Sequence, residues 1–163
     1  MKDLFILRHA EAVLPTSEME DRARSLTTQG SDDAARLGAY WHDQGVQFDK
    51  VVSSPAVRTA QTAYASTAPL GHTPKDISLI ASLYEGSIEA LHELLHAWNN
   101  SWQRVLLVSH LPVIQTLFTY LTNTLAPLLP PGGYIHLQLD LDWWRGLEAG
   151  VGKLVSMGFP EDL

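Results

Sequence analysis

Short apolar runs of four to six residues alternate along the chain with longer segments whose apolar positions recur every three or four residues. That exchange is the mark of strands buried on both faces and of amphipathic helices that cover them. Residues 3–7, DLFIL, predict a first strand that breaks off at Arg8 and His9, and the polar stretch TSEMEDRARS predicts a loop. LTTQGSDDAARLGAYWHDQG predicts a helix, with Thr27 or Thr28 as its N-cap and Gly45 near its end. KVVSS predicts a second strand closed by Pro55, which suits the first turn of a helix through AVRTAQTAYAST. After the loop APLGHTPKD, residues 77–80 predict a short strand. GSIEALHELLHAWNN then predicts a helix with Ile88, Leu91, Leu95 and Trp98 on one face, ended by Asn99 and Asn100. RVLLVSH is the strongest strand signal; VIQTLFTYLTNTL, following Leu111 and Pro112, predicts a helix. APLLPPGG breaks the chain, and YIHLQLDL with GKLVSMG predicts a closing pair of strands. The whole order predicts an α/β fold with a mostly parallel sheet.

Length and composition narrow this picture. A chain of 163 residues, 45% hydrophobic and 18% charged, is expected to form a single domain over residues 1–163 with a sizeable core. A formal net charge of -7 gives no general attraction to nucleic acid or to anionic lipid, so any anion site must be a local gathering of arginine and histidine. Cysteine is absent, which removes disulfides, thiolate metal sites and cysteine nucleophiles. No apolar run approaches the roughly 20 residues that span a bilayer, so the expectation is a soluble, cytoplasmic monomer.

Ligands of an open parallel sheet bind at the carboxyl ends of its strands. On that edge the first strand ends in Arg8 and His9, the second leads into a helix carrying Arg58 in its first turn, and RVLLVSH ends in His110. Two arginines, two histidines and helix N-termini suit a phosphate-sized dianion. Arginine offers a permanently charged planar fork, and a histidine beside cations resists protonation and keeps a lone pair able to attack phosphorus. Singly, each such residue is more often a solvated or structural one; their joint occurrence after separate strands carries the inference.

Four ordered motifs, RHAEA, LTTQG, SSPAVRTAQTA and VSHLP, resemble the histidine phosphatase superfamily, and RSLTTQG with LLVSHLPVIQTL looks most like its phosphohistidine phosphatase branch. The resemblance runs from Asp3 to about Phe118. It implies a three-layer α/β/α arrangement of the phosphoglycerate mutase-like type, His9 as the nucleophile, and Arg8, Arg58 and His110 as the phosphate pocket. It implies no metal and no other cofactor. Arg24 takes the place of an arginine near that pocket, and the implied partner is a phosphorylated protein, the histidine phosphotransfer domain of a signalling kinase. Members that act on phosphate esters use a carboxylic acid to protonate the leaving alkoxide. Glu85, in LYEGS, and Glu11 are both candidates for that acid or for plain solvated roles.

Other readings compete. HELLH at residues 92–96 matches the H-E-x-x-H zinc peptidase pattern, but Asn99 and Trp102 stand where a glycine and a third histidine would follow, and no glutamate occurs between Glu93 and Glu148. By helical spacing His92, Glu93 and His96 lie off the apolar stripe, toward solvent. Trp143 and Trp144 suggest packing at a hairpin end ahead of a docking surface. A small-molecule phosphate-ester phosphatase and a noncatalytic phosphoprotein-binding module complete the alternatives.

Overall fold

A computed structural model describes residues 1–163. Six strands form one sheet: β1 (Lys2–Arg8), β2 (Lys50–Ser53), β3 (Ile77–Leu79), β4 (Arg104–Ser109), β5 (Tyr134–Leu139) and β6 (Gly152–Gly158), in the order β3-β2-β4-β1-β5-β6. The first four run parallel, and β5 and β6 run antiparallel to their neighbours. Five α-helices accompany them: α1 (Thr28–Asp43), α2 (Val57–Thr67), α3 (Ser82–Glu85), α4 (Ile88–His96) and α5 (Leu111–Thr122). None is long and apolar enough to cross a membrane.

The layering follows from the period of the strands. In β1, Leu4 and Ile6 face one way, into a cluster with Leu91, Leu95, Ile114 and Leu117 of α4 and α5. Phe5 and Leu7 face the other way, against Leu37 and Trp41 of α1 and Ala63 of α2. A strand buried on both sides must be apolar throughout, which is why β1 and β4 carry the plainest strand signals in the chain.

Local chemistry sets the helix ends. Thr27 caps α1, its hydroxyl accepting the Gly30 N–H at 3.0 Å. Gly30 is needed because α1 begins pressed against the preceding loop: a Cβ there would fall inside contact distance of the Glu11 carbonyl oxygen. Pro55 stands ahead of the Ala56 N-cap of α2, one step outside the turn where it was expected. Helix α4 stops at His96, short of Asn99 and Asn100, and α5 begins at Leu111 with Pro112 inside its first turn, where proline's missing N–H costs nothing. Trp144 is fully buried, its Nε1 donating to the Trp102 carbonyl, whereas Trp143 is exposed.

The arrangement aligns three strand ends. Arg8 pairs with Ser109 across β1 and β4, and Ser53 pairs with Val108 across β2 and β4. His9, Ser54 and His110 therefore leave the sheet at nearly one level.

Candidate active site

At that level the side chains of His9 and His110 come together, ring centroids 5.5 Å apart. His9 is 9% exposed and His110 7%. The Nδ1 of His9 lies 2.7 Å from the Ala10 carbonyl oxygen, which can only accept, so Nδ1 carries the proton and Nε2 keeps its lone pair. Backbone bonds hold this corner on both sides: His9 N–H donates to the Ser109 carbonyl, Arg8 N–H to the Gly133 carbonyl, and Gly132 N–H to the His9 carbonyl. Helix α2 supplies a further brace. Thr62 accepts the Ala10 N–H at 3.0 Å and Gln61 accepts the Leu26 N–H at 2.8 Å, so Arg58, Gln61 and Thr62 of RTAQT form one face turned to the site.

The two arginines converge with different anchors. Arg8 donates from NH1 to the Leu129 carbonyl. Arg58, 5% exposed, donates NH1 to the Asp21 carbonyl at 2.7 Å and NH2 to the Asp21 carboxylate at 2.9 Å, and its NH2 lies 3.2 Å from His110 Nδ1. The Nε–H groups of both Arg8 and Arg58 are buried without an acceptor. The Nε1–H of Trp41 and the Nε–H of Arg104, away from this site, are likewise unpaired, so what marks the site is the gathering of Arg58, Arg8 and Arg24 charge around His9. Arg24 reaches the same cluster through Asp21, at 3.0 Å, and donates to the Val13 carbonyl.

Asp21, Tyr84 and Ser54 were not singled out from the sequence. Asp21 lies in a single 3-10 turn (Asp21–Ala23) within the polar loop and accepts from Arg58, Arg24 and the Tyr84 hydroxyl. Tyr84 arrives on α3, which the Ser109 hydroxyl ties to β4 through the Leu83 carbonyl. Four residues give no helical period to detect. Ser54 was visible only as the end of KVVSS; its hydroxyl lies 2.8 Å from His110 Nε2.

Glu85 is exposed on the wall of a cavity of about 390 Å³ that it shares with Asp21, Arg58, Tyr84 and His110. Glu11 turns elsewhere: its carboxylate accepts from the Thr27 hydroxyl at 2.8 Å and borders a separate cavity beside Arg36. The HELLH residues lie on α4, outside the lining of the cavity that Arg58 and His110 share. His92 is half-buried, a departure from the solvated position expected of it, with Nε2 at 2.9 Å from the Leu147 carbonyl. It stacks on His96, and no third histidine, aspartate or glutamate stands with the pair.

Electrostatics separates the charged groups from the neutral ones. Burial, reinforced by the charges of Arg58, Arg8 and Arg24 and opposed by the Ala10 carbonyl, lowers the His9 pKa to about 4. Burial and then Arg58 and His9 lower that of His110 to about 3, with Asp21 opposing. The Tyr84 hydroxyl, followed by Arg58 and Arg24, holds the Asp21 carboxyl well below the usual carboxylate range. Both imidazoles are thus neutral and Asp21 is ionised across the whole neutral range.

This has a consequence for stability. An unfolded histidine takes up a proton near pH 6.5, while the folded His9 does so only near 4, so the unfolded state binds more protons between those values and stability falls as pH falls. Urea unfolding at pH 7 and pH 4.5 should show a loss for the native protein that exceeds the loss for His9→Gln by on the order of 2 kcal/mol. Equal losses would mean that His9 is not held neutral by the fold.

Comparisons with known proteins fit this geometry. The family model described as the histidine phosphatase superfamily (branch 1) matches residues 4–97. Phosphohistidine phosphatase SixA of Escherichia coli strain K12 is 29% identical over 126 residues, covering 76% of this chain and 74% of that protein. A solved structure of the protein histidine phosphatase SixA with tungstate superposes with a TM-score of 0.84 at 26% identity, covering 98% of each chain. A mycobacterial glucosyl-3-phosphoglycerate phosphatase shares the fold, with a TM-score of 0.68 at 16% identity over 94% of this chain and 96% of that one.

Proposed function

The chain belongs to the histidine phosphatase superfamily, and from that membership we propose that it is a phosphohistidine phosphatase whose substrate is a phosphorylated protein, the histidine phosphotransfer domain of a signalling kinase. In this reading Nε2 of His9 attacks phosphorus as the P–N bond to the substrate imidazole breaks. The departing imidazole takes up a proton, and water then cleaves the phosphohistidine formed on His9. Arg8 and Arg58 gather the phosphoryl oxygens as their charge redistributes, and His110 donates to one of them. Arg24 acts at one remove, through Asp21.

The observation that carries the reading is His9 itself, its Nε2 lone pair left free by the Nδ1 bond to Ala10, with the His110 ring 5.5 Å away and the charges of Arg58 and Arg8 acting on it. Metal chemistry is not required for this sequence of steps: two fixed guanidinium groups supply the charge, and the nucleophile needs no further deprotonation. The likeness in sequence and structure to SixA supports phosphohistidine as the substrate group. A second reading, hydrolysis of small phosphate esters, draws on Glu85, a carboxyl on the wall of the cavity that Arg58 and His110 also line, which would have to protonate the leaving alkoxide.

The test supplies a phosphorylated histidine phosphotransfer domain beside a panel of phosphate esters, with and without a chelator. Release of inorganic phosphate from the protein at a rate at least tenfold above any ester, unchanged by chelator, is the expected result. Faster ester hydrolysis would favour the second reading. A stable complex with no phosphate released would make the protein a binding module, and loss of activity in chelator would indicate a metal enzyme.

A further inference from the structure

Ser54 is fully buried at the end of β2, and its hydroxyl is the hydrogen-bond partner of His110 Nε2 at 2.8 Å. The same oxygen accepts the Ala56 N–H at 3.3 Å. On the other side of the ring, His110 Nδ1 lies 3.2 Å from NH2 of Arg58, a nitrogen that can only donate. A neutral imidazole has one proton. In the arrangement seen here Nδ1 must accept from Arg58, so the proton sits on Nε2 and is given to Ser54.

That state cannot serve an incoming phosphoryl oxygen. Such an oxygen, entering between Arg58 and His110, accepts from both and requires the proton on Nδ1. Nε2 then becomes an acceptor, and it faces a buried hydroxyl whose oxygen can accept or donate without moving. We propose that Ser54 is a positioning residue that sets the tautomer of His110, accepting from Nε2 in the free protein and donating to it when an oxyanion binds, so that Nδ1–H is presented to the phosphoryl group. The imidazole stays neutral: one proton leaves Nε2 and one is taken up at Nδ1 through solvent, and the Ser54 hydroxyl rotates. The inference rests on the reading of this site as a phosphoryl pocket.

Serine suits this task because a methyl group in its place would leave Nε2 buried without a partner, whereas threonine keeps the hydroxyl. The test has two parts. Nitrogen-15 spectra of His110 should show the Nε2–H tautomer in the free protein and the Nδ1–H tautomer with orthovanadate bound, and Ser54→Ala should fail to complete that change. With phosphohistidine as substrate, Ser54→Ala should lower kcat by about tenfold to a hundredfold, taking as a guide the loss seen when the partner that orients a metal-bound histidine is removed. Ser54→Thr should recover most of the loss, and in a His110→Gln background Ser54→Ala should add less than about twofold, as expected for residues that act as a unit.

Normal turnover in Ser54→Ala with impaired His110→Gln would overturn the role of Ser54 alone. A full additional loss in the His110→Gln background, or persistence of the Nε2–H tautomer with vanadate in the native protein, would do the same. Normal turnover in His110→Gln would overturn the phosphoryl-pocket reading itself. If Ser54→Ala does not fold, persistence of the Nε2–H tautomer with vanadate in the native protein still overturns the proposal, and Ser54→Gly takes the place of the alanine variant in the spectral and kinetic tests.

Discussion

The His9→Ala protein is expected to form no phosphoenzyme and to hydrolyse phosphohistidine more slowly by about four orders of magnitude or more, the scale on which enzymes lose activity with their nucleophile. No other group can take over. His110 keeps Nε2 on Ser54 and in the proposed reaction spends Nδ1–H on a phosphoryl oxygen, so it offers phosphorus no lone pair, and the carboxylates nearest the site are either bound to cations, as Asp21 is, or exposed on the wall, as Glu85 is. The measurement is a rapid-quench assay for acid-labile phosphate on the enzyme, paired with a melting curve to show that the variant folds. Labelling of His9→Ala at the native rate would end the assignment of His9.

The next largest effect is expected at Arg58. Arg58→Ala should reduce kcat by about a hundredfold to a thousandfold, the cost of losing one preorganised donor to developing charge. Arg58→Lys should recover little of it. The guanidinium here gives one terminal nitrogen to the Asp21 carbonyl and the other to the Asp21 carboxylate and His110, and an ammonium cannot reproduce that fork. The same substitution removes a charge that helps hold both histidines neutral, so His110 should titrate at higher pH in Arg58→Ala, a change that nuclear magnetic resonance can follow. Near-native kcat in Arg58→Ala would remove it from the pocket.

Residues whose role is set by their own strand or helix could be seen in the sequence; residues whose role is set by a distant partner could not. Arg8, His9 and His110 announce themselves because a run of core residues stops on them, and Arg58 because it opens a helix just after such a stop. Asp21 looks like one acid among several in TSEMEDRARS; only folding brings it to Arg58, 37 positions away, and to Tyr84, 63 positions away. Ser54 meets His110 across 56 positions. Among the elements, α3 is too short to have a period, and the early start of α5 was hidden by a proline that is tolerated in a first turn. His92 was assigned to solvent by helical spacing, but the carbonyl that half-buries it belongs to Leu147. The antiparallel β5 and β6 were legible as a pair, though not the fact that β5 would lie beside β1.

That last adjacency bears on when the protein can first act. Arg8 and His9 are held from β4, through the Ser109 carbonyl, and also from Leu129, Gly132 and Gly133 on the approach to β5. A partly folded chain in which β1 has paired with β4 but β5 has not docked holds all four motifs and one side of that register, but lacks these three contacts. Under the proposed function, a chain whose β5 has not docked is expected to carry His9 without the full set of contacts that aim it.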